Sequence, residues 1–369
     1  MKILLDDKAR HLNQTGYGRV AMTVAQGLIR NGRNQVTVPY KKFDKFEVSA
    51  IENDYFNYQP DALSRLNDFD LAISVGNPAS TKRLDLPSLM YTMVDTSDIP
   101  SDWVSKLSTM DGFLTPASKV TEIFKKHFSN VYEVPLYGDS ITFKPRQRWR
   151  SEGADKFSFI FTGTHCYRKG TDILVEAFIK EFDINEAKLT LLCTEKAVDA
   201  LYNFVIQTMG KHNKVSDIEI ISTRLTDGWM ARYYSRHDVF VTFSRGEGFG
   251  YPLYEAGLTG LPVIAPAKLP SDDFLETEYN FLCKGNSLNV SEIDSVFGQS
   301  FKKSSSGNEI SIIEVPLETA QQIMRKAYLS GRDKINAMGL TNAMLLKHYS
   351  SAEKFSLSIN SAITKFLEK

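Results

Sequence analysis

Residues 238–266 constrain the fold of this 369-residue chain more than any other stretch. The run Asp238–Phe243, DVFVTF, is apolar and β-branched, which is typical of a buried parallel strand. A glycine-rich turn at Gly246–Gly250 follows, then a helical segment, and Leu261–Ala265 is the next apolar strand. Strand, turn, helix and strand in this order indicate a parallel, doubly wound α/β sheet.

The glycine-rich turn has the chemistry of a site for an anionic ligand that carries hydroxyl groups. Glycine lets the backbone approach a ligand, and the free amides of the following helix, with its dipole, bind anions. Glu247 in the turn and Glu255 in the second turn of the helix place two carboxylates beside this anion site. Carboxylates repel phosphate but accept hydrogen bonds from hydroxyls. Phosphate and sugar hydroxyls together describe a sugar nucleotide.

The stretch Ser244–Pro266, SRGEGFGYPLYEAGLTGLPVIAP, resembles the donor-site signature of retaining glycosyltransferases, specifically glycosyltransferase family 4 (glycosyl transferases group 1). The resemblance implies a GT-B fold, in which two Rossmann-like doubly wound domains face a central cleft. It implies that Glu255 binds the ribose of the donor nucleotide and that Glu247 is a catalytic residue facing the transferred sugar. An ordinary strand, turn and helix with solvated glutamates is the alternative. The implied donor contacts of the turn itself are Gly248, Phe249 and Gly250.

A second phosphate-binding loop is predicted after the strand Phe157–Thr162. It is similar to the family motif G-R-x-x-x-x-K-G, in which Lys169 matches the family lysine. Thr164 stands where the family has arginine, and Arg168 is the candidate for the second cation. Fixed cations and helix amides stabilise a leaving diphosphate without a metal. The predicted donor contacts in this loop are Gly163, Thr164, Arg168 and Lys169.

The resemblance also assigns residues elsewhere in the chain. Asp95 is expected at the cleft end of an N-domain strand and is the second catalytic candidate. Many relatives carry a histidine near this position that faces the transferred sugar. This chain has no histidine there, so the catalytic residues on the acceptor side are not identified by the resemblance. The remaining donor-binding candidates are Gly16, Gly18 and Arg19 in the N-terminal glycine loop, and Arg224 and Leu225 against the donor base.

The length of the chain predicts two domains, because single cores seldom grow to this size. A hydrophobic content of 42% and a charged content of 24% are those of an ordinary globular protein. The predicted acceptor domain is 1–140, the linker 141–156 and the nucleotide-sugar domain 157–350. A C-terminal helix, 351–369, is expected to cross back to the N-domain.

Charge and cysteine content exclude several classes of protein. A formal net charge of +0 argues against a general polyanion binder but leaves room for a local basic groove. The 3 cysteines are widely spaced, which favours neither a disulfide framework nor a zinc site and indicates a cytoplasmic protein. The N-terminal apolar run is interrupted by carboxylates, so it is predicted to be a strand and not a signal peptide. No integral membrane segment, metal site or cofactor is expected.

The predicted function is retaining transfer of a hexose or pentose from a nucleoside diphosphate sugar to a hydroxyl acceptor, a glycan or lipid-linked glycan. A UDP-sugar is the expected donor, although no residue selects UDP over GDP or ADP. A phage-type DNA glycosyltransferase acting on hydroxymethylated pyrimidines is an open alternative, in view of the basic clusters Lys41–Lys45 and Lys144–Arg150. A non-catalytic sugar-nucleotide binding protein is another, in view of Thr164 and the missing histidine. A third alternative is an epimerase with the GT-B fold, which would share the nucleotide site but act on the sugar nucleotide without an acceptor.

Overall fold

The computed structural model describes residues 1–7, 16–39, 57–59, 61–78, 83–146, 156–223, 225–292, 304 and 307–369. The chain divides into two compact units, each built around its own sheet. The first unit comprises Met1–Tyr137, Asn289–Ile310 and Ser350–Lys369, and the second comprises Gly138–Leu288 and Ser311–Tyr349.

The first unit is a parallel sheet whose strand order reverses in the middle. Its strands are β1 (Lys2–Asp7), β2 (Gln35–Val38), β3 (Asn57–Tyr58), β4 (Leu71–Val75), β5 (Ser88–Tyr91), β6 (Gly112–Thr115) and β7 (Val131–Glu133). They lie in the order β3-β2-β1-β4-β5-β6-β7, and each neighbouring pair is parallel. Helices α1 (Gly16–Ile29), α2 (Ser101–Leu107) and α3 (Ser118–Lys125) belong to this unit. The topological switch point therefore lies between β1 and β4.

The second unit repeats this arrangement. Its strands are β8 (Phe157–Thr162), β9 (Ala187–Leu192), β10 (Asp217–Ile221), β11 (Val239–Val241), β12 (Val263–Pro266) and β13 (Phe281–Cys283). Their order is β10-β9-β8-β11-β12-β13, again parallel throughout, so the switch point lies between β8 and β11. A small separate sheet pairs β14 (Asn286–Asn289) with β15 (Ser311–Glu314).

Helices cover the second sheet because its strands are apolar on both faces. They are α4 (Thr171–Glu181), α5 (Val198–His212), α6 (Asp227–Ser235), α7 (Tyr251–Leu258), α8 (Leu317–Leu329) and α9 (Arg332–Tyr349). Aromatic residues fill the core, where the ring of Phe159 in β8 lies 5.5 Å from that of Phe182. These contacts hold the loops at the ends of β8 and β11 on a packed base.

The last helix, α10 (Ala352–Leu367), packs against α1 within the first unit. Ser356 donates a hydrogen bond from its hydroxyl to the carbonyl of Gly27 at 2.7 Å. A Cβ at Gly27 would lie 2.4 Å from the Phe355 ring, so only glycine allows the two helices this close.

The predicted doubly wound α/β fold is confirmed, with changes at element ends. The strand predicted at Asp238–Phe243 is limited to β11, although the amides of Asp238 and Thr242 still donate to the carbonyls of Ser158 and Ile264 in the neighbouring strands. In the segment 284–308, Asn286–Asn289 forms β14, and residues 293–303 and 305–306 lie outside the described residues. In the part of the chain that the structure describes, no helix is long and apolar enough to cross a membrane.

Candidate active site

Two loops of the second unit meet at its switch point. The first follows β8 and covers 163–170, and the second follows β11 and covers 242–250. In doubly wound sheets, ligands bind beyond the carboxyl ends of the strands at this point. The loops that the sequence selected are therefore neighbours in space.

Direct hydrogen bonds join the two loops. The backbone amide of Arg245 donates to the carbonyl of Arg168 at 2.7 Å, and the Ser244 hydroxyl lies 3.1 Å from the same carbonyl. In the other direction, Nη1 of Arg168 donates to the carbonyl of Gly246 at 2.7 Å. The two loops therefore form one continuous wall of the site.

The centre of this wall is a contact between Glu247 and Lys169. Nζ of Lys169 donates to Oε1 of Glu247 at 2.5 Å, and Nη1 of Arg168 lies 3.8 Å from Oε2. Glu247 is only 7% exposed. Burial disfavours its charged form, but the charges of Lys169 and Arg168 prevail and hold the pKa of Glu247 below its ordinary value. A buried, ionised carboxylate thus lies beside two cations.

Two helices begin at this wall, and both start after a glycine in the left-handed region. Gly170 (φ 64°) precedes α4, and Gly250 (φ 95°) precedes α7. A Cβ at Gly170 would lie 1.9 Å from the carbonyl oxygen of Phe243, so the loops can approach each other only with glycine there. Neither helix has a side-chain cap at its N-terminus. The first amides of α4 are therefore available to ligand oxygens, whereas in α7 Pro252 has no amide hydrogen and the amide of Leu253 donates to the carbonyl of Gly250 at 3.1 Å.

Arg245 anchors the loop 242–250, which carries the signature, to neighbouring parts of the second unit. Its side chain is 1% exposed, and Nη1 and Nη2 donate to Asp172 at 2.8 and 2.7 Å. Nη2 also donates to Oε1 of Glu314 at 3.1 Å, and the guanidinium lies 3.6 Å from the centroid of the Tyr167 ring. Burial alone would lower the pKa of Arg245, but its two carboxylate partners raise it, so the group stays charged. This network links the loop to the first turn of α4 and to β15.

His165 belongs to the framework of the first loop. Its Nδ1 lies 2.6 Å from the hydroxyl of Thr171 at the start of α4. Burial lowers the pKa of His165 despite the nearby Asp172, so the imidazole is neutral at pH 7. The positive charge of this loop therefore comes from Arg168 and Lys169.

The other donor candidates of the second unit occupy varied positions. Glu255 is buried on α7, 5% exposed, and Gly248 and Gly250 are buried in the turn. The Phe249 ring packs 5.2 Å from that of Phe274, so Phe249 can offer a ligand its backbone but not its ring. The amide of Gly163 donates to the carbonyl of Leu192 at 3.0 Å, and Thr164 is exposed. Leu225 is half-buried after β10, and Arg224 lies outside the described residues.

The first unit holds the remaining candidates near one another. Helix α1 begins at Gly16, and Gly18 and Arg19 lie in its first turn, Gly18 buried and Arg19 half-buried. The Tyr17 hydroxyl donates to the carbonyl of Met93 at 3.3 Å, which brings this turn to the segment after β5. Asp95 lies in that same segment and is half-buried.

Sequence reasoning missed the network around Arg245. Arg245 stands inside the signature stretch, and a charged residue directly after a buried strand is a signal that was available. Asp172 and Glu314 gave no such signal, because nothing local in the sequence places them beside Arg245. Within the described ranges, no group of three or more His, Cys, Asp or Glu residues could hold a metal ion.

Comparisons with known proteins agree with this architecture. Residues 156–288 match the family model described as "Glycosyl transferases group 1". Sucrose-phosphate synthase from Thermosynechococcus elongatus superposes with a TM-score of 0.73 at 14% identity, covering 100% of this chain and 99% of that chain. HepE from Anabaena, solved with UDP and glucose, gives 0.70 at 12% identity, covering 99% and 100%.

A glycosyltransferase from Rickettsia africae has a TM-score of 0.69 at 11% identity and covers 100% of this chain and 98% of that chain. No curated protein matches the sequence. Likeness at these identities shows the fold, and the predicted GT-B fold is confirmed.

Proposed function

We propose that this protein is a glycosyltransferase that moves a sugar from a nucleoside diphosphate sugar to a hydroxyl acceptor. The observation that carries the proposal is the buried, ionised Glu247 in contact with Lys169 at the switch point of the second sheet. Cations for a diphosphate and a carboxylate for sugar hydroxyls are thus side by side. The family match over residues 156–288 and the GT-B fold support the same conclusion.

The proposed roles follow from charge. Lys169, Arg168 and the first amides of α4 bind the donor diphosphate and stabilise the negative charge that it gains on departure. Glu247 accepts hydrogen bonds from the transferred sugar, and Glu255 accepts them from the ribose. In the first unit, Gly16, Gly18 and Arg19 remain the donor-binding candidates, and Asp95 remains the second catalytic candidate.

The proposed reaction proceeds with retention, as expected for glycosyltransferase family 4. The acceptor oxygen bonds to the anomeric carbon on the face from which the bond to the phosphate oxygen breaks, and the departing phosphate takes the acceptor proton. Glu247 is less suited to act as the nucleophile, because Lys169 already occupies one of its oxygens.

The proposed donor is a UDP-sugar, supported by HepE, which was solved with UDP-glucose. The proposed acceptor is a glycan or lipid-linked glycan. A hydroxymethylated pyrimidine in DNA, or binding of the nucleotide sugar without transfer, are the competing outcomes of the test.

The test is mass spectrometry of the purified protein with a panel of nucleotide sugars, with and without an oligonucleotide containing hydroxymethylcytosine. We expect slow release of UDP from one donor in the wild type and none above background in a Lys169→Met, Glu247→Gln double variant. Release that rises with the oligonucleotide, with a sugar-sized mass gain on the base, would identify DNA as the acceptor. A wild type that turns over no donor would overturn the proposed transfer.

A further inference from the structure

The second unit contains a surface cavity apart from the donor candidates that the structure describes. Its volume is about 360 Å³, within the range of small-molecule sites. Its lining residues are Arg146, Thr226, Gly228, Trp229 and Arg232. The proposed donor chemistry uses none of them.

Trp229 gives the cavity a flat aromatic surface. The residue is 50% exposed, although tryptophan is highly buried in most proteins. The guanidinium of Arg232 lies 4.9 Å from the centroid of its ring. A cation therefore already lies over one face of the indole, and the half-exposed ring still has surface on which a further ring can stack.

The charge of the cavity is positive and uncompensated. Arg146 and Arg232 form no ion pair with any carboxylate of the described residues; Arg146 donates to the carbonyl of Thr142 at 3.2 Å. By contrast, Arg245 and Arg325 in the same unit each pair with two carboxylates. None of the described residues that line the cavity is acidic. Two guanidinium groups are therefore left for an anion from outside.

The cavity also accounts for a sequence feature that the proposed function leaves unused. Arg146 belongs to the cluster 144–150, KPRQRWR, of which residues 147–150 lie outside the described residues. Basic side chains combined with exposed aromatic rings are the composition of surfaces that bind single-stranded nucleic acid.

We propose that this cavity binds single-stranded nucleic acid, with a base stacked on Trp229 and a backbone phosphate held by Arg146 and Arg232. Guanidinium groups match phosphate geometry, and an indole stacks on any base. Because the chain has no net charge, binding depends on this cavity and not on the general field of the protein. The inference does not depend on the proposed glycosyl transfer.

The test is a titration of an end-labelled oligothymidylate with the full-length protein, followed by fluorescence anisotropy. We expect Trp229→Ala to weaken binding about tenfold, the loss of one base stack, and Trp229→Phe to restore most of it. Arg146→Gln and Arg232→Gln should each reduce the slope of log affinity against log salt by about 0.7. Matched controls are Tyr202→Ala, an exposed aromatic residue on α5, and Arg236→Gln, an exposed arginine just after α6; both should leave binding unchanged.

Several results would overturn the proposal. The first is an equal loss of oligonucleotide affinity in the cavity variants and in the controls. The second is no binding of the oligonucleotide by the wild type, and the third is Trp229-dependent binding of an acidic polysaccharide instead. Loss of UDP affinity in Trp229→Ala that matches the loss of oligonucleotide affinity would assign the cavity to the donor nucleotide. Thermal unfolding of each variant separates misfolding from lost contacts. Turnover of nucleotide sugars, measured separately, decides the proposed transfer whatever the oligonucleotide shows.

Discussion

A donor diphosphate has to compete with Glu247 for Lys169, since the ammonium group already donates to that carboxylate at 2.5 Å. The same carboxylate repels the phosphates while it attracts sugar hydroxyls. Glu247 therefore affects the nucleotide and the sugar in opposite directions, and this separates its role from that of a purely structural residue.

The first prediction concerns Glu247→Gln. The amide removes the charge that competes for Lys169, so affinity for UDP should rise about fivefold, or roughly 1 kcal/mol. Turnover of the nucleotide sugar should fall about 100-fold, because a polarising contact to the sugar is lost. Calorimetric titration and steady-state kinetics measure the two effects. A parallel fall in UDP affinity would contradict the assigned role.

The second prediction concerns Arg245→Met. Removal of one partner of a buried ion pair leaves Asp172 and Glu314 without their cation and should cost about 3 kcal/mol in the free energy of unfolding. UDP affinity should fall as well, because the loop that carries Glu247 loses its anchor. Urea unfolding and UDP titration check both effects.

Arg325→Met is the matched control, since Arg325 also bridges two glutamates but on the far helix α8. It should lower stability without changing UDP affinity. Equal UDP affinity in both variants would show that Arg245 stabilises the unit without positioning the loop.

At the scale of elements, the two loops of the site depend on one glycine. Gly170 combines a left-handed backbone with the close approach to Phe243. Gly331 has a similar φ of 75° but has nothing within 4 Å of its missing Cβ. Alanine substitutions at Gly331 and Gly170 therefore separate the cost of a left-handed backbone from the cost of a steric clash.

The third prediction is that Gly331→Ala costs about 1 kcal/mol, the strain of the left-handed region alone, whereas Gly170→Ala costs at least twice as much. The additional cost arises because the methyl group pushes the two loops apart, so UDP affinity should fall only in Gly170→Ala. Urea unfolding and titration provide both measurements. Similar costs in the two variants would mean that the loops can separate without loss.

The sequence predicted elements best where burial is simple. The predicted strands that became β8 and β11 are apolar runs, and their apolar residues lie in the core as expected. Helix α5 was not predicted. Tyr202 and Ile206 are 57% and 51% exposed on it, so apolar residues occupy both faces and the helical periodicity is obscured.

At the scale of the whole molecule, six strands of each unit follow the same order, and the first unit adds a seventh. The sequence predicted two doubly wound domains but not their strand order. The grouping of residues 289–310 with the first unit was not visible. It depends on non-local pairs, such as the amide of Val290 with the carbonyl of Ile310 at 2.8 Å and the bridge of Pro100 with Ser304. No local pattern encodes such pairs. The predicted donor residues, in contrast, lie in short contiguous motifs, so they could be proposed from the sequence; their roles stay predictions.

The fourth prediction concerns stability in acid. Burial, helped by the charge of Lys188, lowers the pKa of His237 to about 4, although the hydrogen bond to the Tyr233 carbonyl and the charges of Asp238 and Glu219 oppose the shift. The unfolded chain takes up this proton near pH 6.5 and the folded chain only near pH 4, so stability falls as the pH drops between these values. From pH 7 to pH 5 this histidine should account for a loss of about 2 kcal/mol.

Urea unfolding of His237→Gln at pH 7 and pH 5 measures this contribution. The variant should lose about 2 kcal/mol less than the wild type over this interval. His348→Gln, at an exposed histidine of α9, should behave as the wild type does. An unchanged pH dependence in His237→Gln would show that His237 is protonated in the folded protein.

The central claim is that the second unit binds a nucleoside diphosphate through Lys169. Calorimetric titration of UDP into the wild type, Lys169→Met and Lys180→Met tests it most directly, because Lys180 is an exposed lysine in the last turn of α4, at the opposite end of that helix from the loop. We predict that Lys169→Met weakens UDP binding at least about 30-fold, roughly 2 kcal/mol for a lost charge pair, and that Lys180→Met leaves it unchanged. Equal UDP affinity in all three proteins would contradict the account.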